Sequence, residues 1–69
     1  MDHHVQLLER AIKHVLQAGR ASPALLQRAL RIGFRQARRL LDELGWLGIV
    51  GPRRRVLITP EEWRDVQAG

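Results

Sequence analysis

A helix-start signal, Ser22-Pro23, stands between two glycines, Gly19 and Gly33, so this part of the chain must fold as short helices joined by abrupt bends. The serine hydroxyl can cap open N–H groups, and proline in the first helical position sacrifices no hydrogen bond. Upstream, Val5, Leu8, Ala11, Ile12, Val15 and Leu16 recur at three- and four-residue steps, with Glu9, Arg10, Lys13 and Gln17 opposite. That spacing predicts an amphipathic helix over about 4–18, ended by Gly19. A short second helix over 23–30 buries Leu26, Ala29 and Leu30. Arg31-Ile32-Gly33 follows as a tight bend, with Gly33 supplying the backbone freedom. A third helix then opens at Phe34 and stops near Gly45, with Phe34, Ala37, Leu41 and Leu44 on its core side and Leu40 at the same helical spacing.

Past Gly48 the pattern changes. Ile49-Val50 and Val56-Leu57-Ile58 read as strands around a Gly51-Pro52-Arg53-Arg54 turn, which predicts a β-hairpin with an arginine tip. Thr59, Pro60 and Glu62 form a T-x-x-E capping signal, so a helix over about 60–67 closes the chain, turning Trp63 and Val66 inward. At 69 residues this is a single domain, 1–69, close to the size below which one core fails to offset chain entropy. The expected fold is mainly α: a winged helix-turn-helix of three helices, a short β-hairpin wing and a short C-terminal helix.

Charge distribution narrows the function. The net charge is +5, yet nine arginines lie between Arg20 and Arg55 against two acids, Asp42 and Glu43, while the flanks carry three bases and five acids. A field so concentrated favours a polyanion approached from one side; the bland alternative is a solvated basic surface. No cysteine is present, which removes disulfides and thiolate metal sites. No apolar run approaches the ~20 residues that span a bilayer, and MDHHVQ lacks a secretion-signal pattern, so the expectation is a cytoplasmic protein without membrane contact. His3, His4 and His14 have no companions at ligand spacing, and Ser22 has no histidine placed as its base, so neither metal, cofactor nor catalysis is expected. His14 reads as a surface residue.

Within the third helix the apolar face leaves Arg35, Gln36, Arg38, Arg39, Asp42 and Glu43 outward. Residues of the first two turns of such a helix enter a major groove deepest, which makes Arg35, Gln36 and Arg39 the expected base readers of double-stranded DNA. Arginine forks onto guanine and glutamine pairs with adenine, so two arginines one turn apart suit a G-rich site. Arg38 is expected to clamp phosphate, as are Ser22, Arg28 and Arg31 around the second helix and Arg53, Arg54 and Arg55 at the hairpin tip. The tip also fits a charged edge that discourages sheet aggregation. Asp42 can accept from a cytosine amino group or steady Arg38 or Arg39, and the pair is the preferred reading. Trp46 and Trp63 invite a base-stacking role, but both adjoin core positions and are expected to pack there.

Ala21-Ser22, Gln27-Arg28, Arg31-Ile32-Gly33-Phe34, Ala37, Arg39 and Gly48-Ile49-Val50-Gly51-Pro52 resemble the C-terminal gamma domain of FtsK/SpoIIIE-type DNA translocases over about residues 20–58. The resemblance implies a winged helix that binds short, oriented, G-rich chromosomal sequences and so directs loading of a hexameric motor in chromosome segregation and cell division. It also implies, for some members, contact with a Xer-type recombinase. Any ATPase motor would lie outside these residues. The chain departs from the family pattern at Arg35-Gln36, where asparagine then arginine is usual, at Arg38, where a small residue is usual, and in its shorter wing, which implies a shifted base preference. Residues 59–69 have no counterpart in the resemblance. By itself the domain is expected to be a monomer, with several copies able to sit side by side on DNA.

Two alternatives use the same fold. One is a protein-interaction winged helix presenting its basic face to an acidic partner such as a recombinase or a cell-division protein; it calls for an exposed apolar patch, which the sequence does not advertise. The other is a small stand-alone transcriptional regulator, dimerising through the first or last helix.

Overall fold

The computed structural model describes residues 3–68, leaving Met1, Asp2 and Gly69 outside the description. It contains four helices: α1 His3–Ala18, α2 Pro23–Leu30, α3 Phe34–Trp46 and α4 Pro60–Ala68. Helix α2 packs on both α1 and α3, α1 also meets α3, and α4 rests on α1. The largest fully buried side chains, Ile12, Val15, Leu26, Leu40 and Leu44, come from all three of the packed helices. Each such burial contributes about 1.5–3 kcal/mol relative to exposure.

Local chemistry accounts for most of the boundaries. Gly19 takes φ +72°, and its N–H donates to the Val15 carbonyl at 2.9 Å, closing α1. Ser22 Oγ accepts from the Leu25 N–H at 3.1 Å, with Pro23 opening α2. Thr59 and Glu62 cap α4 reciprocally: the Thr59 N–H donates to Glu62 Oε1 at 3.0 Å and the Glu62 N–H to Thr59 Oγ1 at 3.1 Å. This is the expected capping box.

The bend between α2 and α3 is made differently from the expectation. Gly33 is extended (φ −77°, ψ 168°), and the left-handed residue is Arg31, at φ 55° and ψ 51°, capping the C-terminus of α2. A side chain in this region crowds the following carbonyl, which glycine avoids. Arg31→Gly should therefore raise the unfolding free energy by about 1 kcal/mol, measurable as a higher urea midpoint at unchanged slope.

Several expected core residues lie outside the core. Phe34 is 56% exposed: it is the first residue of α3, its Cβ tilts back over the bend, and the inward face starts only at Ala37. Helix α3 continues past Gly45 and ends where Gly48 takes φ +78°. Trp46 is thereby carried onto its outer side, 90% exposed, and is not packed as expected. On α1, Leu7 is buried and Leu8 half-buried, while Val5 stays exposed because the first turn meets α3 through a polar contact, described below. Ala29 is half-buried. On α4, Trp63 is half-buried against the core but Val66 is 65% exposed, since the helix touches α1 with one residue's breadth of apolar surface.

The predicted hairpin is reduced to one antiparallel bridge, Val50 to Val56. It is flanked by the Gly51 N–H donating to the Arg55 carbonyl and the Leu57 N–H donating to the Ile49 carbonyl, each at 2.8 Å. Residues 52–55 form a tight turn, closed by the Arg55 N–H donating to the Pro52 carbonyl at 3.3 Å, in which Arg53 and Arg54 have φ 60° and 57°. The arms have no room to extend: the turn consumes the residues on one side, and on the other the chain bends at Ile58 and enters α4. Two strands of such length, with no third beside them, gain little from lengthening the ladder.

Candidate nucleic-acid interface

On α3, the buried Ala37, Leu40, Leu41 and Leu44 fix the helix's rotation. Helical spacing then aligns Arg35, Arg39, Asp42 and Trp46 along the side directed away from the core, and all four are exposed. Arg38 lies to one side of this stripe and Gln36 on the other, toward Glu43. The three expected base readers are thus all in solvent, but only Arg35 and Arg39 share the outermost stripe.

Beside the stripe runs a groove of about 770 Å³ between α3 and the 51–54 turn. Arg38 and Asp42 stand on the helix side, Arg53 and Arg54 on the turn side, Leu41 and Val50 are apolar lining, and Trp46 lies toward the helix end. Three arginines from two separate segments are therefore gathered around one concavity. Arg55 is exposed at the far end of the turn and does not line it, nor do Ser22, Arg28 and Arg31, which belong to α2 and its C-cap. Ser22 is committed to capping α2.

The two acids of the arginine-rich segment are both engaged. Asp42 Oδ1 lies 3.9 Å from Arg38 Nε, the expected i,i+4 pair, with both side chains well exposed, so it is worth a few tenths of a kcal/mol. Glu43 Oε1 lies 2.6 Å from His4 Nε2, bridging the first turn of α1 to α3. Sequence reasoning missed this contact, having weighed His4 only as a metal ligand; a partner 39 residues away leaves no local signal. His14 is half-buried on α1. No helix among the described residues is long and apolar enough to cross a membrane.

The family model of the Ftsk gamma domain matches residues 2–59. The chain belongs to the FtsK gamma family. The match takes in α1 as well as the α2 to 58 segment that carried the resemblance, and ends where the Thr59 cap begins. Among similar curated proteins, the DNA translocase FtsK of Caldanaerobacter subterraneus subsp. tengcongensis is 44% identical over 61 residues, 83% of this chain and 9% of the relative. The DNA translocase FtsK of Lactococcus lactis subsp. lactis is 47% identical over 60 residues, 80% of the chain and 8% of the relative. That of Tropheryma whipplei is 39% identical over 71 residues, 90% of the chain and 10% of the relative. The FtsK gamma chain thus spans about a tenth or less of the length of these relatives. No solved structure matches it.

Proposed function

We propose that this domain is a double-stranded-DNA-binding module without enzymatic activity, in which α2, the 31–33 bend and α3 act as a helix-turn-helix and the 49–57 reversal serves as an abbreviated wing. The observation that carries this reading is the alignment of Arg35 and Arg39 along the outer side of α3, next to a groove where Arg38, Arg53 and Arg54 converge. Arg35 and Arg39 read base edges from the major groove, with Gln36 at the flank. Arg38, Arg53 and Arg54 hold phosphates, Arg28, Arg31 and Arg55 extend the cationic surface around them, and Ser22, while capping α2, sets its N-terminal N–H groups for a further phosphate. Family membership and relatives named as DNA translocases support a role in which a short, oriented, G-rich sequence directs loading of the motor in chromosome segregation.

Selection from a random duplex pool tests the reading: enrichment of an oriented G-rich site is expected, and survivors no different from the input would sink sequence recognition. A second reading, contact with a recombinase or another cell-division partner, is favoured by one feature the sequence did not advertise, the exposed Trp46 and Leu47 at the end of α3.

A further inference from the structure

Trp46 has no part in the duplex reading, yet it is the most exposed large apolar side chain among the described residues, on the wall of a groove that also holds Arg38, Arg53 and Arg54. A flat indole among guanidinium groups offers two things together: a π-face on which a base can stack, and cations for the phosphates on either side of that base. Bases inside a duplex are already stacked on each other and cannot offer that face to a side chain. Gly45 and Gly51 also line the groove. The groove volume of about 770 Å³ falls within the ~300–1,000 Å³ of small-ligand clefts.

We infer that this groove seats an unpaired nucleotide of a single strand, its base on the Trp46 indole and its neighbouring phosphates on Arg53 and Arg54. The backbone supports the assignment of phosphates to the turn. Arg53 and Arg54 are the two central residues of the reversal, at φ 60° and 57°, the backbone that a tight hairpin turn requires, so both guanidinium groups stand at its tip. Asp42, 3.9 Å from Arg38, offsets part of that arginine's charge, which leaves Arg53 and Arg54 as the unopposed cations of the groove lining. An acidic peptide would satisfy the arginines as well, and the test below separates it from a nucleic-acid strand.

Arg53 and Arg54 serve both a duplex and a single strand, whereas Trp46 serves only the latter, so measurements at Trp46 separate the two. In the 69-residue chain carrying Trp63→Phe, with helicity checked by circular dichroism, Trp46 is the sole emitter. Titration with eight-nucleotide oligo(dT) and oligo(rU) should quench it, the tighter of the two naming the natural strand, whereas an abasic strand of equal charge should bind at least about fivefold more weakly. In the otherwise unaltered chain, Trp46→Ala should weaken oligo(dT) binding about tenfold while Trp46→Phe retains most of it. Affinity for a blunt duplex should move less than about twofold, and Arg39→Ala should leave oligo(dT) binding in place. Quenching by the abasic strand or by poly-glutamate as strong as by oligo(dT), or equal losses on single and double strands in Trp46→Ala, would overturn the assignment.

Discussion

Replacing Leu40 by alanine should lower the unfolding free energy by about 2–5 kcal/mol, the range for deleting a buried leucine side chain whose neighbours relax only partly. Leu40 is fully buried in the middle of α3, in a cluster with Leu44 of the same helix and with Leu26, Ile12 and Val15 from α2 and α1. A domain of this size has roughly 3–10 kcal/mol in all, so the variant should be substantially unfolded at physiological temperature. Urea titration followed by circular dichroism measures this. A loss under about 1 kcal/mol would mean that α3 does not pack through the Ala37, Leu40 and Leu44 face, and the outward placement of Arg35 and Arg39 would go with it.

Arg39→Ala should cost about 1–3 kcal/mol on the preferred duplex, or roughly five- to 150-fold in affinity, and much less on random sequence. Arg39 lies on the outermost stripe of α3 and takes no part in the core, so its removal leaves the fold intact. Arg54→Ala is the contrasting case. From its place on the turn side of the groove it should weaken all duplexes alike and flatten the dependence of log K on log salt by about one unit. Anisotropy titrations on a selected and a scrambled duplex at several salt concentrations distinguish the two behaviours. Equal losses on both duplexes for Arg39→Ala would remove it from base reading and leave it as a phosphate contact.

Ser22-Pro23, Gly19 and the Thr59 to Glu62 box announced their helix ends because a cap is a contact between residues three or four apart. Apolar spacing likewise identified Ala37, Leu40, Leu41 and Leu44 as one face. What spacing does not reveal is how far the neighbouring elements extend to cover that face. Phe34, Trp46 and Val66 have apolar side chains at plausible positions, yet nothing packs over them. The residue that bends the chain was equally hidden. Arg31, and later Arg53 and Arg54, adopt backbone angles that glycine or asparagine would signal and arginine does not. Of the candidate site, helical spacing was enough to tell which α3 arginines face outward; their division into an outer stripe and a groove required knowing where the 51–54 turn comes to rest.

Helix α4 rests on α1, buries no residue fully, and lies past the end of the family match. Opening of a segment is governed by the apolar contacts it must give up, and here those amount to little beyond Trp63. Of the four helices, α4 therefore has the least to give up on detaching, and its detachment would bare the outer side of α1 while leaving the arginine surface of α3 and the 51–54 turn in place.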